Sequence, residues 1–283
     1  MAHPQIAAFA RLAEGGAKAN RKLEGQKTLL GRTMHALAYD EIHDEIVAPQ
    51  DFSQAILIFR GGANGEEAPL RVIQGPLTQL NSVDQLAIDA VHGEIFVPEA
   101  DHVLVFSREA NGNVAPIRVL KGPDTLLGAS TVAVDPVHNL LLVSGTKAEG
   151  APPGPGAYNT GTGVSIFNRT DQGNVKPKAV IRDRSLRNGR IYVYPPRSEF
   201  LVVANAPGGG PSEGYGVLAT DTGFVGVWSI QDNGNVPPRW MIGGPKGELL
   251  QIRGVALDAK NKSVIISDKR LNAVLTYSFP EIF

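Results

Sequence analysis

One pattern repeats along the chain and limits what it can fold into. Residues 38–46, 87–95 and 133–141 align without gaps, each with an Ala, an apolar or aromatic residue, an Asp and, three residues on, a His. The pairs are Asp40 with His43, Asp89 with His92 and Asp135 with His138. Weaker copies follow at residues 192–200, with Arg197 in the His place, and at 256–264, with Asn261 there. Each copy leads to a second apolar run, a Gly turn, a Pro and a further run. Residues 56–59 lead to Asn64-Gly65, Pro69 and residues 72–75; residues 103–106 lead to Asn111-Gly112, Pro116 and residues 119–122. Residues 164–167 lead to Gly173 and Pro177, and residues 225–230 to Asn233-Gly234 and Pro238. A degenerate copy opens the chain at residues 6–9, with Glu14-Gly15 and Leu23-Glu24-Gly25.

Each period carries four short runs rich in Val, Ile, Leu and Phe, divided by turn residues. Asn-Gly supplies the positive φ that tight hairpins require. No stretch past the first few residues sustains a 3.6-residue period, so the pattern predicts an all-β chain with four strands per repeat. Repeats of roughly 40–50 residues with four strands are β-propeller blades. Strands within a blade are called a (innermost) to d (outermost). Strands c and d come first, four full blades follow at 34–82, 83–130, 131–189 and 190–252, and strands a, b and c close the chain at 253–283. The chain is therefore expected to be one β-propeller domain, residues 1–283, of four-stranded antiparallel blades. Five blades fit the count best, with a strand from residues 1–33 completing the last blade so that the two ends tie the ring, and one amino-terminal strand left over. Six blades are the alternative and need roughly 40 further residues ahead of residue 4 at this repeat length.

The motifs Leu86-Ala87-Ile88-Asp89, His92-Gly93-Glu94-Ile95, and Val105-Phe106 ahead of Ala110-Asn111-Gly112 resemble the repeats of NHL-like and YncE-like bacterial β-propellers. The resemblance covers nearly the whole chain and implies the fold; five blades depart from the six or seven usual there. It implies little about activity, because one fold hosts many functions. Such families include peptide- and protein-binding modules, lyases and metal-dependent lactonases. Propellers of this kind are often exported, so periplasmic or secreted placement is what the resemblance implies, although residues 1–16 show no cationic region, apolar stretch and cleavage site.

Composition excludes several classes. With no Cys there is no disulfide framework, thiolate zinc site or cysteine nucleophile. Lys and Arg number 27 against 28 Asp and Glu, for a net charge of -1, which argues against a nucleic-acid or anionic-membrane binder. No apolar run approaches the roughly 18 residues of a membrane span.

In a propeller the a-to-b hairpins lie on one face and the d-to-a and b-to-c connections on the other, around the channel mouth. Asp40, Asp89, Asp135 and Asp258 belong to the a-to-b hairpins and are expected to accept backbone N–H bonds there. His43, His92 and His138 sit one per blade, too far apart to meet on one ion with bonds of about 2.0–2.1 Å. What does not repeat at the mouth is free to serve a ligand. Three residues ahead of the strand-a alanine stand His35, Asp84, Ser130, Gly189 and Arg253; the next position holds Arg190 in blade 4. The ends of strand b hold Gln50, Glu99, Gly145, Ala204 and Asp268, with Asn205 beside them. Two neighbouring b-to-c connections are long, residues 144–163 and 205–223, and each carries one Tyr, Tyr158 or Tyr215, among small residues. Loops beyond about 12–15 residues tend to be functional or disordered. The ligand-binding set is therefore expected to be His35, Asp84, Glu99, Tyr158, Arg190, Tyr215, Arg253 and Asp268, with no catalytic residue assigned.

Guanidinium forks suit a carboxylate or other anion. A lactonase-like resemblance implies Ca²⁺, but Asp84, Glu99, Asn205 and Asp268 offer four oxygen ligands at most against the six to eight wanted, and Arg190 and Arg253 oppose the ion. No cofactor is expected, with Ca²⁺ the alternative. The function expected is that of a non-catalytic binding or scaffold protein for a small anionic molecule or a protein partner, with neither nucleic acid nor a membrane span. The alternative is a propeller hydrolase, lactonase or lyase with its site in the same mouth.

Overall fold

The computed structural model describes residues 4–32, 34–147, 163–182, 186, 189–204 and 223–283. The described chain is all-β, with short 3₁₀ turns and no α-helix. It opens with β1 (Gln5–Ala8) and β2 (Arg21–Glu24). Blade 1 is β3 (Ala38–Asp40), β4 (Glu45–Gln50), β5 (Ala55–Arg60) and β6 (Arg71–Gln74); blade 2 is β7 (Ala87–Asp89), β8 (Glu94–Glu99), β9 (His102–Ser107) and β10 (Arg118–Lys121). Blade 3 is β11 (Leu127–Asp135), β12 (Leu140–Thr146), β13 (Val164–Asn168) and β14 (Ala179–Ile181). Blade 4 is β15 (Arg190–Tyr194), β16 (Glu199–Ala204), β17 (Phe224–Ser229) and β18 (Trp240–Ile242), and blade 5 is β19 (Ile252–Asp258), β20 (Ser263–Asp268) and β21 (Ala273–Ser278).

Each of blades 1 to 4 is a four-stranded sheet in chain order, β19–β21 is a three-stranded sheet, and β1–β2 is a separate pair. The fold is thus a β-propeller of antiparallel blades, five as the repeat count requires. β1, the strand that this count leaves over, is the partner of β2, with Ile6 opposite Leu23. The chain divides into two compact units, residues 1–99 with 104–118, and residues 100–103 with 119–283.

Strands b and c read as continuous apolar runs because both of their faces are buried. In the second unit Leu140, Leu142, Ile166 and Ile181 of blade 3 pack on Phe200, Val202 and Trp228 of blade 4. The opposite face of blade 4, Leu201, Val203, Val225 and Val227, packs on Val264 and Ile266 of blade 5. Phe200 and Trp228 stack at 6.3 Å, and the Trp228 Nε1–H donates to the Val236 carbonyl at 2.9 Å, so the buried indole is satisfied. In the first unit Leu23 and Ile6 of the β1–β2 pair pack on Leu57, Phe59 and Ala48 of blade 1.

Two polar devices hold the blades in register. The buried Glu45 that opens β4 receives Arg71 from β6 at 2.7 Å and Arg108 at 2.8 Å; Glu94 receives both Arg118 terminal nitrogens at 2.7 and 2.8 Å. Strand d is thereby tied to strand b across strand c by charge-assisted bonds, the kind that lose most when one partner is removed. The second device is the hairpin aspartate. Asp40, Asp89 and Asp135 each accept two backbone N–H bonds through Oδ1 at 2.9–3.0 Å, while Oδ2 meets the His43, His92 or His138 Nδ1 at 2.7–2.8 Å. In blade 5 Asp258 takes the Asn261 amide in the same way at 2.6 Å, so Asn replaces the imidazole as donor. Burial pulls the Asp40 carboxyl upward, but the His43 backbone and imidazole bonds outweigh it and hold it below its ordinary value.

The Asn-Gly pairs differ from the tight hairpins expected. Gly65, Gly112 and Gly234 do have positive φ, of 65°, 77° and 82°, but they lie inside c-to-d connections of ten residues, 61–70, 108–117 and 230–239. Their work is between blades. The Gly112 N–H donates to the Val72 carbonyl at 2.6 Å and its carbonyl accepts the Gln74 N–H at 3.1 Å. Gly65 does the same with Lys22 and Glu24, Gly173 with Val119 and Lys121, and Gly234 with Val180 and Arg182. The residue after the glycine then caps the 3₁₀ turn that follows the preceding outer strand: Glu66 accepts the Gln26 N–H, Asn113 that of Leu77 and Asn174 that of Asp124, each at 2.8 Å. These caps press on Gly25, Gly75 and Gly122, whose φ values are 109°, 127° and 145°.

Two glycine substitutions separate these effects. Gly112→Ala meets no atom within 4 Å and should cost the left-handed strain alone, about 1–2 kcal/mol. Gly122→Ala places a Cβ 2.5 Å from the Asn174 Cβ and should cost more, above about 2 kcal/mol, because the cap is displaced as well. Urea unfolding midpoints check the order; equal shifts would contradict the packing described.

Candidate functional site

The mouth connections are built by one local scheme. After Gly25, Gly75 and Gly122 the chain makes a 3₁₀ turn whose Thr28, Thr78 or Thr125 hydroxyl donates back to the glycine carbonyl at 2.5–2.6 Å. The same hydroxyl oxygen accepts the N–H of Leu30, Leu80 or Leu127 at 3.3–3.4 Å. All three Thr are buried, so each d-to-a connection is anchored before it reaches strand a.

The ends of strand b complete that anchoring. The Gln50 Oε1 accepts the Gly31 N–H at 2.5 Å. The Glu99 carboxylate accepts the N–H groups of Asn81 at 2.9 Å and Ser82 at 3.0 Å. Asp268 takes four: Leu250 at 2.7 Å and Gln251 at 2.9 Å on Oδ2, and Arg270 at 2.9 Å and Leu271 at 3.0 Å on Oδ1. Gln, Glu and Asp differ in charge but share a planar oxygen acceptor, and the position uses the acceptor. In the sequence this repeated latch is masked by the difference in charge among Gln50, Glu99 and Asp268. Both Glu99 and Asp268 are 2% exposed. Burial pulls the Asp268 carboxyl upward, yet the backbone N–H groups of Leu271, Leu250, Gln251 and Arg270 outweigh it and bring it below its ordinary 3.8.

His35 and Asp84, which head the mouth connections of blades 1 and 2, are in direct contact through Nδ1 and Oδ1. Their side chains are 48% and 42% exposed, so the pair meets solvent. Both belong to the first unit, as does Glu99.

In the second unit Arg190 opens β15 and Arg253 is the second residue of β19; both residues are half-buried. β15 and β19 are innermost strands that pack against each other. The residue ahead of Arg190 is fixed from the neighbouring blade, where the Thr131 hydroxyl donates to the Gly189 carbonyl at 2.7 Å. Asp268 lies in the same unit and spends both oxygens on backbone N–H groups. Tyr158, Tyr215 and Asn205, with most of the two long connections, lie outside the described residues.

Three of the four residues that the lactonase resemblance offers to Ca²⁺ have their oxygens engaged within the protein; the fourth, Asn205, lies outside the described residues. Glu99 and Asp268 are engaged by backbone donors and Asp84 by an imidazole. Among the described residues no group of three or more His, Asp or Glu is arranged to hold a metal.

No protein-family model matches the chain, and no curated relative does. Among solved structures it is similar to Kuenenia stuttgartiensis hydrazine synthase, with a TM-score of 0.55, 8% identity, and coverage of 92% of this chain and 58% of that one. The chain thus spans less than two thirds of that neighbour. A second neighbour is the WD40 β-propeller domain of Doa1, at a TM-score of 0.46 and 12% identity, covering 87% of this chain and 69% of that one. At such identities the likeness concerns the fold alone.

The latch generates a test. Asp268→Asn retains one acceptor oxygen but puts an N–H₂ group against two backbone donors, and should cost about 1–3 kcal/mol at pH 7. The folded carboxyl lies below its unfolded value, so its contribution is present above that value and is lost as pH falls through the folded one. The gap between native chain and variant should therefore close on acidification below pH 4; a gap constant between pH 7 and pH 2 by denaturant titration would contradict the assignment.

Proposed function

We propose that the chain is a non-catalytic binding or scaffold protein, and that Arg190 and Arg253 at the mouth recognise a small anionic molecule or an acidic group on a protein partner. The observation that carries this reading is the placement of Arg190 and Arg253, both half-buried, at the start of innermost strands that pack against each other. Two half-buried guanidiniums on packed innermost strands favour a bidentate acceptor between them. The resemblance to NHL-like and YncE-like repeats agrees, since those families include peptide- and protein-binding modules. Tyr158 and Tyr215 are part of the same proposal as contacts from the long connections, a composition suited to adaptable recognition.

A second reading, a propeller hydrolase, lactonase or lyase, is favoured by one observation. His35 and Asp84 form an oriented imidazole–carboxylate pair, the arrangement that prepares a general base. That pair belongs to the ligand-binding proposal if it only shapes the mouth.

The deciding variant changes Arg190→Met and Arg253→Met together, which keeps length and removes charge. A thermal-shift series with mono-, di- and tricarboxylates should show stabilisation of the native chain that rises with ligand concentration by mass action. The double variant should lose that stabilisation while its own melting temperature stays level or rises. Unchanged carboxylate stabilisation, or a fall of about 1–3 kcal/mol in intrinsic stability, would assign the arginines a structural role.

A further inference from the structure

The residue just ahead of strand b closes the a-to-b hairpin in every repeat. It is Asp44, Gly93, Asn139, Ser198 and Lys262 in turn, with positive φ at all five, of 55°, 65°, 58°, 54° and 52°. Gly, Asn and Asp suit that left-handed conformation, and Ser is less usual there. Only blade 4 carries a hydroxyl at this place. The Ser198 Oγ lies 3.2 Å from the Nε2 of His138, which belongs to the same hairpin of blade 3. Asp135, His138 and Ser198 are all in the second unit.

His138 is oriented from its other side. Asp135 is fully buried; its Oδ1 accepts the Val137 and His138 N–H groups at 3.0 Å, and its Oδ2 stands 2.7 Å from His138 Nδ1. A carboxylate there holds the proton on Nδ1 and leaves the Nε2 lone pair to accept the serine O–H. The order carboxylate, imidazole, hydroxyl is that of a serine nucleophile with its base. Ser198 is equally fixed. Pro195 and Pro196 open the 3₁₀ turn (Pro195–Arg197) that ends on it, and their rings limit φ. Its N–H donates to the Pro195 carbonyl at 2.9 Å, and its carbonyl accepts the Ile230 N–H at 3.0 Å and the Ser229 hydroxyl at 3.4 Å. A strained turn of this kind is how serine esterases present their hydroxyl. The site is open to solvent: the His138 side chain is 32% exposed and Ser198 is half-buried.

We propose that Ser198 is an activated hydroxyl that takes an acyl group from esters with a good leaving group, with His138 as its base and Asp135 as the positioning residue. The Ser198 Oγ bonds the carbonyl carbon while its proton passes to His138 Nε2. The bond from that carbon to the leaving oxygen then breaks, and the proton leaves with that oxygen as the alcohol or phenol. The Ser198 N–H is occupied by Pro195, so it is not lent to the developing oxyanion. Attack is therefore confined to activated esters, and the acyl-serine, whose release needs the same stabilisation, accumulates. The outcome is one modification per chain rather than turnover. It involves the a-to-b hairpins and not the mouth connections, and it is independent of Arg190 and Arg253.

The probe is p-nitrophenyl acetate added to the full-length chain, followed by nitrophenol release and by peptide mapping of the acetyl group. One equivalent of nitrophenol should appear in a burst, with the acetyl on Ser198. Two variants use residues that this chain already carries at the same places. His138→Asn copies Asn261, whose amide keeps the bond to the hairpin Asp, and should slow Ser198 acetylation about a hundredfold or more. Ser198→Gly copies Gly93 and should abolish the burst. His92→Asn makes the same hairpin change where Asn139 stands in the serine place, and should leave the burst as in the native chain. Acetyl groups spread over lysines and other histidines, with none on Ser198 of the native chain, overturn the proposal whether or not a variant folds. So does a His138→Asn chain that is acetylated at Ser198 as fast as the native one, which would make the contact of Ser198 with His138 a link between blades and nothing more.

Discussion

The outer strand of a blade presents a row of N–H and C=O groups that its own sheet cannot satisfy, and the rest of this structure depends on how that row is closed. Exposed edges recruit other strands. Here a ten-residue connection from the next repeat lays one glycine against the edge, with an N–H donated at 2.6–2.8 Å and a carbonyl accepting at 2.9–3.1 Å. The positive φ of Gly65, Gly112, Gly173 and Gly234 turns both groups toward the neighbouring strand. The next side chain then caps the 3₁₀ turn that leads into the mouth. A blade is therefore positioned by its successor, and the mouth connection of one blade is fixed by the outer connection of the next.

The charged residues follow from the same geometry. In a sheet buried on both faces the charged groups gather at strand ends. At one end the opening Glu of strand b takes the Arg of strand d; at the other a Gln, Glu or Asp oxygen takes backbone N–H groups of the mouth connection. In blades 1 and 2 the acids Glu45, Glu94 and Glu99, and in blade 5 Asp268, are thus engaged by the scaffold. The residues that vary between repeats stand ahead of or at the start of the innermost strands, His35 with Asp84 in one unit and Arg190 with Arg253 in the other.

Much of the architecture was legible in the sequence. Short apolar runs divided by turn residues and the Asp-x-x-His spacing place twenty-one strands, the number found among the described residues, and the hairpin role of Asp40, Asp89 and Asp135 follows from the Asx-turn preference. The Asn-Gly pairs were legible as positive-φ sites but not as links between blades, because their partners lie about 40 to 55 residues away and local turn rules carry no distant information. Glu99 and Asp268 read as variable mouth acids for a comparable reason. Their position is constant in hydrogen-bond capacity, while charge, the property that varies among Gln50, Glu99 and Asp268, is the one that draws attention. The contact of His35 with Asp84 depends on the placement of adjacent blades, which residue spacing suggests without fixing.

Native-state hydrogen exchange, resolved at single amides, tests the central claim most directly, because each glycine link has its own reporter. The amides of Gly65, Gly112, Gly173 and Gly234 should exchange only in openings close to global unfolding, as slowly as the strand-b amides of the blades they join. The Gly243 amide, which has no partner among the described residues, should exchange orders of magnitude faster. Glycine amides that exchange as fast as that of Gly243 would show that the links do not hold the blades, and that the apolar faces alone position them.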